Sequence, residues 1–93
     1  MKFDLWESAK EHRLIVAHRG TAGGNIPCNT EASYEIALKQ GADMIETDID
    51  CTSDGELVVF HPSMEPHHLG ITNRRIPDMT YNEVKTLRYL NAD

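Results

Sequence analysis

Five residues in three short clusters have the types and spacing to do chemistry. His18-Arg19 ends one apolar run, Glu46-x-Asp48 lies in the next, and His61 ends a third. Ionisable groups at the ends of successive apolar strands are where α/β folds place ligands and catalysis. A single histidine after a strand ordinarily serves structure, and Glu-x-Asp is common on solvated edges, so the ordered convergence of all five carries the reading. The chemistry that fits is metal-assisted displacement at phosphorus. Glu46 and Asp48 on one strand face can hold a hard divalent cation such as Mg²⁺ or Ca²⁺, which prefers oxygen ligands. Arg19 supplies an always-charged, bidentate phosphate clamp. His18 and His61 can share the general acid and general base roles, because imidazole titrates near neutral pH.

The elements that must position these groups follow from local pattern. From Met44 to Cys51 the side chains alternate. Ile45, Thr47, Ile49 and Cys51 share a mostly apolar face, while Met44, Glu46, Asp48 and Asp50 share the other. Asp54-Gly55 is a two-residue hairpin signal. A loop of those two residues would put Ser53 opposite Glu56 and Asp48 opposite His61. A short extended crossover to a parallel strand is the alternative, and either arrangement leaves His61 near the acids. Upstream, Leu14 to Ala17 is a continuous apolar run, as in a parallel-sheet strand covered on both faces, and it ends at His18-Arg19-Gly20.

The remaining elements frame this centre. Asp4 caps a short first helix containing Trp6 and Ala9. Thr21 to Pro27 is loop-like, and Asn29 or Thr30 then caps a helix through about Gln40 that stops at Gly41. The order strand, loop, helix, strand is a βαβ pattern. Pro62, Pro66, Gly70 and Pro77 suggest a long loop from residue 62 to Thr80. Thr80-Tyr81-Asn82-Glu83 is a capping box, with Met79 able to staple against Val84 and an apolar stripe of Tyr81, Val84, Leu87 and Leu90. Asp50, Glu65, His67 and His68 lie close in sequence and read as solvated or loop-stabilising.

Ninety-three residues allow one domain at most, and 40% hydrophobic content suits a globular protein. A net charge of −6 argues against general affinity for nucleic acid or anionic membrane, since both reward a basic surface. No run has the length to span a bilayer, the opening lacks the apolar core of a signal peptide, and a cytoplasmic location is expected. Cys28 and Cys51 lack metal-type spacing and are expected as two reduced thiols.

The succession His18-Arg19-Gly20, Pro27-x-Asn29-Thr30, Gly41-Ala42-Asp43-x-Ile45-Glu46-x-Asp48, Thr52-x-Asp54-Gly55 and Val58-Val59-x-His61 resembles the N-terminal part of the glycerophosphodiester phosphodiesterase family. Each motif alone is weak, whereas the set in this order and spacing is specific. The resemblance implies an α/β fold: the first β/α units of a TIM (β/α)₈ barrel of the phospholipase-C-like phosphodiesterase type, too short to close, with residues 1–93 forming a partial domain. A complete barrel typically takes about 250 residues.

The resemblance further implies metal-dependent hydrolysis of glycerophosphodiesters to glycerol 3-phosphate and an alcohol. His18 and His61 match the catalytic pair, Arg19 the phosphate contact, and Glu46 and Asp48 the metal ligands. A further carboxylate is expected beyond Asp93. Cys28 stands where the family usually has Glu, the loop holding Gly23 and Gly24 is longer than its commonest form, and Pro62 replaces the acid that usually follows the second histidine. Two alternatives are a phospholipase acting on lipid or lysolipid, and a non-catalytic fragment that only binds phosphate or a partner.

Overall fold

The computed structural model describes residues 3–23 and 25–90, arranged as two small β units joined by helices. In chain order these are α1 (Leu5–Glu11), β1 (Val16–His18), α2 (Glu31–Lys39), β2 (Met44–Glu46), β3 (Ile49–Cys51), β4 (Leu57–Val59), α3 (Glu65–Leu69), a 3₁₀ turn (Ile76–Asp78) and α4 (Tyr81–Val84). β1 and β2 pair in parallel with Val16 beside Met44 and His18 beside Glu46, and α2 forms the crossover between them. β3 and β4 form an antiparallel hairpin. The βαβ order read from the sequence is therefore present. The described residues do not close a barrel, and none of their helices is long and apolar enough to cross a membrane.

Local chemistry accounts for most element ends. The Asp4 carboxylate accepts from the Glu7 N–H at the start of α1. Thr30 caps α2 with a reciprocal Ser33 contact, and Gly41 follows its C-terminus at φ 101°. Asp43 locks the parallel pair at its entrance. Its carboxylate accepts from the Ile15 N–H at 2.8 Å, while its own N–H donates to the Ile15 carbonyl. That hydrogen bond holds the Asp43 carboxyl below the ordinary aspartate range.

The hairpin departs from the expected register by one residue. Ile49 pairs with Val59, and the Phe60 N–H donates to the Asp48 carbonyl, so Asp48 faces Phe60 rather than His61. The reason lies in the turn. Only Gly55 has positive φ (87°), Asp54 does not, and the Thr52 N–H donates to the Glu56 carbonyl. Ser53, Asp54 and Gly55 thus make a three-residue loop of the kind in which Gly takes the left-handed position. Asp54 Oδ1 is committed elsewhere, accepting from the Thr52 hydroxyl and from the Tyr81 N–H at the start of α4.

The first arm is also not one continuous strand. It leaves the parallel ladder at Glu46 and joins the antiparallel one at Asp48. The expected apolar face is solvent-exposed at Ile49 and Cys51, as are their cross-strand partners Val59 and Leu57, and the opposite face, through Val58 and Phe60, meets the core. Ile15 and Val16 are likewise exposed, so β1 is not covered on both faces by the described residues.

Phe60, Ile76 and Met79 form the core of the second half, with Val58, Met64, Leu69, Val84, Leu87 and Tyr89 packed around them. The segment expected as a loop from residue 62 to Thr80 contains α3 and the 3₁₀ turn. Pro66 sits in the first turn of α3 and Gly70 ends it in the left-handed conformation (φ 71°), an arrangement that the Pro and Gly positions encode. α4 has the expected capping box but only four residues. Val84 and Leu87 pack inward while Tyr81 and Leu90 stay exposed, so the stripe is not one continuous helix.

Burial pushes the Tyr89 phenol up to about 12, with Cys28 and Tyr34 contributing. A raised acid pKa stabilises the fold fully below the ordinary value of 10 and loses that contribution as pH rises toward 12. Ultraviolet titration of the folded protein is expected to show one tyrosine ionising near 12, with that component absent in Tyr89→Phe.

Gly20 provides a second test. It sits at φ 79°, and a Cβ there would lie 2.5 Å from Ser33 Oγ and 2.8 Å from the Ser33 carbonyl carbon. Gly20→Ala is expected to destabilise by about 2 kcal/mol or more, combining left-handed strain with overpacking, read as a lower urea midpoint.

Candidate active site

The end of β1, the N-terminal flank of α2 and the break between β2 and β3 converge on one cluster. The Arg19 N–H donates to the Glu46 carbonyl, which ends the parallel ladder and sets Arg19 beside the acids. Arg19 adopts φ 61° and Asn29 φ 56°, both in the left-handed region where non-glycine residues are uncommon. Their backbones are tied, because the Asn29 N–H donates to the Arg19 carbonyl at 2.8 Å. The Ser33 hydroxyl lies 3.2 Å from the same carbonyl and shares its one proton between it and the Thr30 carbonyl at 2.8 Å.

Asp48 is the centre of the cluster. Its Oδ2 accepts from Asn29 Nδ2 at 3.0 Å and lies 3.4 Å from Arg19 Nε. The second contact is an ion pair without hydrogen-bond alignment, and Arg19 Nε has no other partner among the described residues. Burial pushes the Asp48 carboxyl up. The Asn29 hydrogen bond, the charges of His61 and Arg19 and the neighbouring Glu46 more than offset this, and the carboxyl stays below the ordinary aspartate range. Asp48 is thus an anion at neutral pH.

His18 Nε2 lies 3.7 Å from Glu46 Oε1, an ion-pair distance too long for a hydrogen bond. Glu46 Oε1 is buried with no hydrogen-bond partner among the described residues. An orphaned carboxylate oxygen next to a second carboxylate suits a cation, so Glu46 and Asp48 fit as metal ligands. They supply only part of a site, because among the described residues no three or more His, Cys, Asp or Glu side chains converge as a metal-binding group.

His61 is anchored by its neighbour. Its Nδ1 lies 2.8 Å from the Pro62 carbonyl. A carbonyl can only accept, so Nδ1 carries a proton, and it is Nε2 whose lone pair is available in the neutral form of the ring. Where the usual acid is absent, the main chain of the replacing proline orients the ring.

All five residues singled out from the sequence therefore gather here, although His61 reaches the site by a register other than the expected one. Of the four residues nearby in sequence, Asp50 bonds the Cys51 N–H and Glu65 is fully buried, accepting from the Ile76 N–H at 2.8 Å. His67 stacks edge-on against His68. His68 lies 3.5 Å from Cys28 Sγ and packs against Phe60 and Tyr89. Burial lowers its pKa, and the charges of His67, Arg19 and His61 lower it further, which marks the edge of the same site. Asn29 and Tyr34 were missed as site residues. The signal at Asn29 was an asparagine just ahead of a helix cap, the residue type most tolerant of left-handed backbone.

Comparison with known proteins gives a consistent picture. The model of the family described as "Glycerophosphoryl diester phosphodiesterase family" matches residues 18–92. A glycerophosphodiester phosphodiesterase of Caldanaerobacter subterraneus is 41% identical over 76 residues, covering 80% of this chain and 30% of the relative. A lysophospholipase D of Homo sapiens is 39% identical over 83 residues, covering 86% of this chain and 26% of the relative. The crystal structure of glycerophosphodiester phosphodiesterase from Agrobacterium tumefaciens superposes with a TM-score of 0.67 at 37% identity, covering 82% of this chain and 32% of that one. The chain thus spans between a quarter and a third of the length of these relatives. With the family match running from His18 through the last helix, the chain belongs to the glycerophosphoryl diester phosphodiesterase family.

Proposed function

We propose that residues 1–93 are the N-terminal part of a catalytic domain that hydrolyses glycerophosphodiesters to glycerol 3-phosphate and an alcohol, in a TIM barrel of the phospholipase-C-like type. The observation that carries this reading is the convergence of Arg19, Glu46, Asp48 and His61 around one ionised carboxylate, with His18 paired to Glu46. Glu46 and Asp48 would hold a divalent ion, Mg²⁺ or Ca²⁺, which neutralises phosphate charge when bound. Arg19 binds a non-bridging phosphate oxygen through the guanidinium nitrogens not facing Asp48. The Nε2 of His61 can take a proton from an attacking water, and His18, exposed beside Glu46, can deliver one to the departing alkoxide, or the two roles are reversed. Two free thiols, Cys28 and Cys51, support a reducing compartment, the cytoplasm.

The name of the human relative supports a second substrate class, lysolipids, for the same site. Full-length protein containing this segment, given glycerophosphocholine and Mg²⁺ or Ca²⁺, is expected to release glycerol 3-phosphate. His18→Ala and His61→Ala should each lose about 10²–10⁴-fold in turnover, the usual range for a general acid or base. Release of choline and lysophosphatidic acid from lysophosphatidylcholine, with no release of glycerol 3-phosphate from glycerophosphocholine, would favour the lysolipid class. Folded full-length protein that releases product from neither would overturn the enzymatic reading.

The metal assignment has its own check. Removal of divalent ions with a chelator is expected to abolish turnover and added Mg²⁺ or Ca²⁺ to restore it, while Glu46→Gln and Asp48→Asn remain inactive at any metal concentration. Full activity in either variant would remove that residue from the ligand set.

A further inference from the structure

Asn29 is 5% exposed, so its amide is a buried polar group with few choices of partner. Its Nδ2 donates to Asp48 Oδ2 at 3.0 Å, and its Oδ1 accepts from the Tyr34 hydroxyl at 2.9 Å. The Tyr34 oxygen is also 2.7 Å from Thr47 Oγ1. A hydroxyl has one proton, so with Tyr34 donating to Asn29 it must accept from Thr47. The bonds then run in one direction, from Thr47 through Tyr34 and Asn29 to Asp48, and the chain of contacts begins and ends on consecutive residues. If the amide flipped, its oxygen would face a carboxylate and its NH₂ would face the hydroxyl. The carboxylate, which can only accept, sets the orientation of the amide, and the Tyr34 hydroxyl donating to Oδ1 holds it in place.

We propose that Asn29 is the positioning residue for Asp48 and that Tyr34 locks the Asn29 amide, so that Oδ2 of Asp48 is committed to the protein and Oδ1 is presented to a divalent cation. The inference rests on the metal reading given under Proposed function. Partners that orient a ligand in this way typically change metal affinity 10–100-fold when removed. Neither residue need touch the cation or the substrate.

The test uses Mn²⁺ binding to the purified protein by electron paramagnetic resonance, which does not require turnover. Asn29→Gly keeps the left-handed backbone (φ 56°) and removes the amide. It is expected to weaken Mn²⁺ about 10–100-fold with its thermal midpoint little changed, and its turnover should recover at raised Mn²⁺. Tyr34→Phe should weaken Mn²⁺ severalfold in the parent and add nothing in the Asn29→Gly background. Mn²⁺ affinity within twofold of the parent in Asn29→Gly, or an equal Tyr34→Phe effect in both backgrounds, would overturn the positioning role. Equal Mn²⁺ affinity in the parent and in Asp48→Asn would instead remove Asp48 from the ligand set, and the proposal with it.

Discussion

One acceptor, the carbonyl oxygen of Arg19, organises the first half of this molecule. It takes the Asn29 N–H at 2.8 Å and lies 3.2 Å from the Ser33 hydroxyl, whose single proton it shares with the Thr30 carbonyl at 2.8 Å, and so pins the loop after β1 to the start of α2. The carbonyl can meet both donors only because the chain turns through left-handed backbone at Arg19 and Gly20. Gly20 is also where α2 comes closest, leaving no room for a Cβ. The guanidinium and the Asn29 amide then reach Asp48 from the same anchored segment. Backbone strain of this kind persists where surrounding contacts over-determine it, and here the contacts are those of the site itself.

The second organising constraint is the change of partner by the central arm. Through Glu46 it hydrogen-bonds to β1 in parallel, and from Asp48 onward to β4 in antiparallel. Thr47 belongs to neither ladder. The change leaves Glu46 facing His18 and Asp48 facing Arg19 and Asn29, so the two acids meet different partners although they are two residues apart.

The candidate cluster was more legible in the sequence than the packing. His18, Arg19, Glu46, Asp48 and His61 stood out because ionisable residues are conspicuous in and at the ends of apolar runs, and local caps marked α2 and α4 because their bonds are local. The hairpin register was not legible. Asp54-Gly55 suits either a two- or a three-residue loop, and the choice was made by Asp54 bonding to Thr52 and to distant Tyr81. Nor could alternation alone say which face of the hairpin is covered, since the answer depends on where Ile76 and Met79 fall. Asn29 was read only as a candidate cap and a motif residue, because its contacts join residues 19, 34 and 48 across the fold. α3 was hidden by the very Pro and Gly that delimit it, which were read as loop punctuation.

The bond between His61 and the Pro62 carbonyl has a consequence for how the imidazole works. A ring held by an acidic side chain shares its proton with a group that itself titrates and has rotatable bonds of its own. A ring held by a peptide carbonyl is held by an acceptor that stays neutral at every accessible pH and moves only with the main chain. Gaining or losing the Nε2 proton therefore leaves the Nδ1 contact in place, and the ring passes between its two charge states with little nuclear reorganisation.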